Sequence, residues 1–194
     1  MLFQKDEIIL RRMQNDMYDY QLMAKWLTDE KVLEFYEGRD NPYPLERIIE
    51  TYKPIIIKNE PIFPCLFYYR NIPIGYLQYY ALNDLSETDK QTYYQMYYLD
   101  NTNHVYGIDL FIGETNYWEQ GIGTKILSAV ITYIFEQLQA VKIVIDPKVS
   151  NTRAIRCYEK CGFVKVKLLT AHEFHEGQYS DCWLMAIDRK KSLD

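Results

Sequence analysis

Two glycines one residue apart, Gly121 and Gly123, sit in NYWEQGIGTKIL ahead of a long periodic stretch. Glycine lets a ligand come close to the backbone, and the free amides at a helix N-terminus favour an anion. Residues Gly121 to Thr124 therefore suit a pyrophosphate, and equally a plain turn into a helix. The spacing excludes two phosphate motifs. A dinucleotide fingerprint needs a third glycine at position 126, which is Ile, and a P-loop needs Lys-Ser or Lys-Thr where the chain has Thr124-Lys125. Asp109, in GIDLFI, precedes the glycines. Asp146 ends VKIVID, and strand ends are where open sheets carry functional groups. His172 and His175 in HEFHE lack the HExxH spacing and have no nearby cysteine or further histidine, so no metal is expected.

The elements that must position these groups follow from periodicity and turn residues. Residues 7–13 read as a strand, 16–28 as a helix capped by Asp16, 30–36 as a short helix, and 44–53 as a helix with Pro44 in its first turn. Strands at 64–70 and 73–81 flank Asn71-Ile72 as a hairpin, and 104–112 is another strand. Residues 83–103 read as a long surface loop, whose Tyr93, Tyr94, Tyr97 and Tyr98 are placed to line a cleft. Ile122, Ile126, Leu127, Val130, Ile131, Ile134, Phe135 and Leu138 repeat at helical spacing. The run 141–146 suits a buried strand, and a short helix follows from Asn151 to Gly162. Strands at 163–169 and 182–188 enclose HEFHEGQYSD, read as a loop. The sum is a mixed α+β class in a single domain, 1–194.

Composition narrows the partners. A net charge of −5 argues against a general nucleic-acid binder and is compatible with a cationic one. No run reaches the roughly 18–20 apolar residues of a membrane span, and MLFQKDEIILRRM has no long apolar core. Cys65, Cys157, Cys161 and Cys182 show no CxxC spacing, so reduced thiols in a bacterial cytoplasm are expected. The 19 tyrosines suit a core or a polar ligand cleft, each having an apolar body and a polar tip.

The stretch Trp118-Glu119-Gln120-Gly121-Ile122-Gly123 resembles the acetyl-CoA motif of the GNAT acetyltransferases, Q/R-x-x-G-x-G/A, with Trp118 in place of the first Gln or Arg. A second signature of that superfamily, N-x-x-A-x-x-x-Y-x-x-x-G-F, is present as Asn151, Ala154, Tyr158, Gly162 and Phe163. Within the superfamily the chain looks closest to the aminoglycoside 6′-N-acetyltransferases. The likeness rests on WLTDEKVLEFYEGRD (26–40), PIGYLQ (73–78), VYGIDLFIGETNYWEQGIGT (105–124), IDPKVSNTRAIRCYEKCGF (145–163) and HEFHEG (172–177).

The resemblance implies a central mixed, mostly antiparallel twisted sheet flanked by helices, acetyl-CoA as co-substrate, and an aminoglycoside acceptor. It assigns Asp109 to the attacking amine and Tyr158 to the leaving thiolate. Leu110, Phe111, Ile112, Gly113, Gln120, Gly121, Ile122, Gly123, Thr124, Asn151 and Ala154 fall to the donor, with Trp118 packing under the loop. Tyr36, Gln78 and Asp146 fall to the acceptor, with Glu37, Glu173, Glu176 and Asp181 as further carboxylates that serve equally as solvated surface acids. The chemistry asks for such groups independently: a sugar amine is protonated at neutral pH and must lose a proton before it attacks a thioester. Two rivals remain at this level. One is a GNAT enzyme acting on a protein N-terminus or a polyamine, and the other is an acyl-CoA-binding module without turnover.

Overall fold

The computed structural model describes residues 1–58, 61–85 and 104–190. The tyrosines at 93, 94, 97 and 98 lie outside the described residues. Among these residues eight strands form one sheet: β1 (Phe3–Lys5), β2 (Ile8–Arg12), β3 (Ile62–Tyr69), β4 (Ile72–Ala81), β5 (Val105–Ile112), β6 (Lys142–Ile145), β7 (Val164–His175) and β8 (Gln178–Asp188). Their order is β1-β2-β3-β4-β5-β6-β8-β7. Every neighbouring pair is antiparallel except β5 with β6. That exception requires a crossover, which is the helix after the glycine pair.

Among the described residues five helices cover the two faces: α1 (Met17–Trp26), α2 (Glu30–Leu33), α3 (Leu45–Lys58), α4 (Ile122–Gln137) and α5 (Thr152–Lys160). The periodic stretch seen in the sequence is α4, and it buries Ile126, Leu127, Val130 and Ile134 against Phe67, Leu77, Ile108 and Ile143. The opposite face carries Leu66, Tyr76 and Phe111, each an odd number of positions along its strand from that set. These pack under Met23, Trp26 and Leu27 of the α1 region and Ile48 and Tyr52 of α3. A sheet covered on both faces explains why β3 to β5 read as nearly continuous apolar runs.

Some boundaries differ from the sequence reading. The first strand is a hairpin, β1 and β2, turning at Asp6 with φ 52°. Its outer strand is short and half exposed, so it left no apolar pattern. The third helix runs through Pro54 to Lys58, because Ile56 still finds the second core. The largest correction concerns HEFHEGQYSD, which is a hairpin and not a loop. Glu173 pairs with Ser180, Phe174 with Tyr179 and His175 with Gln178, and the chain reverses at Glu176 and Gly177, both at positive φ.

Candidate active site

Strand β5 is the axis of the site. It pairs with β4 from Tyr106 to Ile112, but with β6 only at Val105, Tyr106 and Gly107. Beyond Gly107 the parallel pair splays, so among the described residues the backbone from Ile108 to Ile112 has no strand on that side. An extended ligand can add itself there as a strand would. Trp118 closes the end of the opening: its indole N–H donates to the Ile112 carbonyl at 2.8 Å.

A cavity of about 440 Å³ lies at this splay. Leu110, Phe111 and Ile112 of β5 line it, with Gly121, Gly123 and Thr124 at the start of α4, and Asn151, Ala154, Cys157 and Tyr158 from α5. Gly121 caps α4 at φ 74° with no side chain bonded to the first amides, so those N–H groups remain for an anion. A Cβ at Gly121 would meet nothing within 4 Å. At Gly123 a Cβ would meet only Cys157 Sγ and Ile112 Cδ1, each at 3.6 Å, an ordinary contact. At Gly123 the protein itself therefore has room for a side chain, whereas the positive φ of Gly121 holds that position to glycine; both residues line the cavity. Gln120 donates back to the Asn116 carbonyl. Asn151 accepts from the Ala154 amide at 3.2 Å as the cap of α5.

Sequence reading missed the cations of this wall. Arg153, Arg156 and Lys160 line the same cavity from α5, and the Arg153 guanidinium stacks 3.7 Å over the Trp118 ring. Position 118 has lost the Gln or Arg of the motif, and a guanidinium reaches the spot from another helix. The basic residues of TRAIRCYEK were the available signal. The donor set of backbone amides, three cations and an open strand edge fits an elongated ligand carrying phosphates.

The other side of β5 is acidic. Asp109 is half-buried beside Gln78, its cross-strand partner, whose Nε2 donates to Asp109 Oδ2 at 2.7 Å. Burial pushes the Asp109 carboxyl up to about 7, the Asp146 charge adds to this, the Gln78 bond opposes it, and Glu37 and Glu173 add smaller repulsions. The structure thus brings four of the sequence-chosen carboxylates into one field. Burial also raises Glu37, which sits at φ 66° in the turn after α2. His172 holds Asp146 with a 2.8 Å Nε2 to Oδ2 bond that raises the imidazole above its usual range. Sequence reading had weighed His172 only as a metal ligand.

Two of the chosen acids lie apart from this cluster. Glu176 accepts from the Arg39 backbone and guanidinium, clasping the turn after α2 to the β7–β8 hairpin. Asp181 accepts from the Ala171 amide at 2.8 Å and braces the irregular register of β7. His175 strengthens the clasp. Its Nε2 donates to the Glu34 carbonyl at 3.0 Å, so its Nδ1 accepts from the buried Lys148 ammonium at 2.8 Å. Gly38, at φ 102°, makes the tight reversal that this clasp holds.

Aromatic rings floor the acidic side. Tyr36 packs 4.7 Å from Phe111, and Phe111 stacks on Tyr76 at 5.5 Å. Tyr158 stands where the two sides meet: it lines the cavity and is 7% exposed, with Asp109 and Asp146 near enough to act on it. Burial first, then Cys157 and after it the Asp109 and Asp146 charges, holds its phenol well above the usual tyrosine range, so it is protonated at neutral pH.

Comparison with known proteins agrees with this geometry. Residues 16–171 match the family model described as an acetyltransferase (GNAT) domain. The chain is 31% identical over 166 residues to an aminoglycoside N(6′)-acetyltransferase type 1 of Klebsiella pneumoniae, covering 85% of this chain and 78% of that one. A solved aminoglycoside acetyltransferase, AAC(6′)-Ib in complex with coenzyme A and kanamycin, superposes with a TM-score of 0.75 at 27% identity, covering 94% of this chain and 95% of the other. The spermidine N-acetyltransferase of Vibrio cholerae in complex with CoA and spermine shares the fold alone, with a TM-score of 0.74 at 19% identity over 98% and 100% of the two chains. On its two motifs, its splayed sheet and these matches, the chain belongs to the GNAT acetyltransferase family.

Proposed function

We propose that this chain, acting as one domain, transfers an acetyl group from acetyl-CoA to the 6′-amine of aminoglycosides. The observation that carries the reading is the meeting of two opposite walls at β5, a cavity of amides and cations against a cluster of four carboxylates. The first suits the phosphates of a CoA thioester, and the second suits a polycationic sugar. The likeness over most of the chain to aminoglycoside N(6′)-acetyltransferases supports the same acceptor.

Bound acetyl-CoA supplies the activated acetyl group, and this chain's residues do the rest. Amides of Gly121 to Thr124, with Arg153, Arg156 and Lys160, hold the phosphates. The free edge of β5 from Leu110 to Ile112 holds the arm and offers N–H donors to the developing oxyanion. Asp146, Glu37 and Glu173 draw in the ammonium groups of the acceptor. Asp109, with a carboxyl near 7, is matched to take the proton of the attacking amine at neutral pH. Tyr158 keeps its proton until a thiolate leaves, and then gives it up. Tyr36 and Phe111 form an apolar wall for the sugar ring.

The test is direct. The protein is mixed with acetyl-CoA and kanamycin, CoA release is followed, and the acetyl group is located by mass spectrometry and NMR. Release with the label on the 6′-amine is expected. Spermidine and an N-terminal peptide run in parallel; faster turnover of either would replace this reading by the corresponding rival.

A further inference from the structure

Behind Asp109, on the same face of the sheet, lies a row of hydrogen bonds leading away from the cleft. The Tyr76 hydroxyl donates to Gln78 Oε1 at 2.8 Å, and Gln78 Nε2 donates to Asp109 Oδ2 at 2.7 Å. Tyr76 is 0% exposed, so bulk water does not compete for its hydroxyl. A phenol has one hydrogen, and Tyr76 gives it to Gln78. The row therefore has one direction, from Tyr76 on β4 to the carboxylate on β5.

That direction matters because an amide has two different ends. Either end of Gln78 fits beside Asp109 sterically. A carbonyl there would favour the protonated acid, and an N–H favours the carboxylate. The hydroxyl of Tyr76 decides between them by taking the carbonyl end.

We infer that Tyr76 is a positioning residue for the acetyl transfer, locking Gln78 so that its N–H occupies Asp109 Oδ2 and leaving Oδ1 as the oxygen that takes the amine's proton. The inference rests on the proposed role of Asp109 as proton acceptor. In the step itself one N–H bond of the amine breaks and one O–H bond forms on Oδ1; no other atom is lost or gained. The other groups facing Asp109 are Asp146 at the end of β6, Glu37 after α2, Glu173 on β7 and Tyr158 on α5. Four of these five neighbouring influences, counting Gln78, favour a neutral Asp109 or leave it unaided; the locked amide is the one that favours the base.

The test keeps the Tyr76 ring and removes its hydroxyl. Protein labelled with ¹³C at the aspartate carboxyls is titrated by NMR without substrate, and the Asp109 signal is identified by its loss in Asp109→Asn. In Tyr76→Phe the Asp109 midpoint should rise by about 0.5–1 pH unit, the worth of one ordinary hydrogen bond. Gln78→Leu should raise it more. The acid limb of kcat/KM should also move upward in Tyr76→Phe, with that variant's alkaline plateau kept within about threefold. A Tyr76→Phe midpoint equal to the unaltered protein's would overturn the lock. A moved midpoint with an unmoved acid limb would overturn the link to the reaction. Because the NMR titration needs no turnover, a failure of the proposed acetyl transfer is read separately from a failure of the lock.

Discussion

The two walls that meet at β5 use charge in different ways. The cavity wall is built from backbone amides and from Arg153, Arg156 and Lys160, groups whose positive character persists across the working pH range. Burial lowers Arg153 from its usual value, but a guanidinium starts so high that it stays charged. The acidic wall is conditional. Glu37, Asp109, Asp146 and Glu173 repel one another, and the most enclosed of them, Asp109, gives way to about 7. One wall is made to hold, and the other to change its protonation during a cycle. Perturbing either one separately should therefore show up in different kinetic constants.

The largest effect should come from the conditional wall. Asp109→Asn keeps the size of the side chain and a carbonyl for Gln78 but cannot take a proton. General-base loss costs about 10²–10⁴-fold, so kcat should fall by that order. The affinity for acetyl-CoA, read by calorimetry, should change by less than about twofold, since nothing in the cavity wall is touched. A comparable loss of acetyl-CoA affinity would mean that the walls are not separate.

The reverse experiment acts on the holding wall. Arg153→Ala removes a guanidinium from the cavity and from the Trp118 face. A charge-assisted contact of about 1.5 kcal/mol corresponds to roughly a tenfold weaker hold on acetyl-CoA. The kanamycin KM at saturating donor should stay within about twofold. The penalty should shrink at high salt, because the cavity is open and the charge is screened. A tenfold fall in kcat with donor affinity intact would instead place Arg153 with the reacting groups.

Much of this contrast was visible in the sequence, and the visible part is the local part. The period of α4, the apolar runs of β4 to β6 and the glycine pair each lie within one segment, so burial and turn chemistry printed them directly. Asp109 and Asp146 could be chosen because each stands at a strand position that carries function. What the sequence did not print were pairings set by register and by tertiary approach. His172 meets Asp146 only because the hairpin at 172–181 pairs, and that hairpin is polar, with an irregular register that hides its alternation. Glu176 and Asp181 looked like substrate acids for the same reason, until strand pairing gave them Arg39 and the Ala171 amide. Arg153 reaches Trp118 across 35 positions of chain. The row from Tyr76 to Asp109 needs the antiparallel register of Gln78 with Asp109 before it can be seen at all.

The smallest effect tests the same contrast through stability instead of rate. Asp109 titrates near its ordinary value of 3.8 when unfolded and at about 7 when folded. A raised folded value means that the native state binds the proton more tightly. The stability linked to this group is complete below about pH 4 and is lost as pH rises toward and through 7. Asp109→Asn removes that loss and keeps the bond to Gln78. At pH 8 the variant should therefore be the more stable protein, by about 1–2 kcal/mol once the partial exposure of the site is allowed for, or about 3–6 °C in Tm. At pH 5 most of the advantage should vanish, because native Asp109 is already protonated there. Arg153→Ala should show no such dependence, since its charge is the same at both values. Thermal melts of the two variants at pH 5 and pH 8 make the comparison; an Asp109→Asn advantage equal at both would mean that strain, and not charge, is what the acidic wall stores.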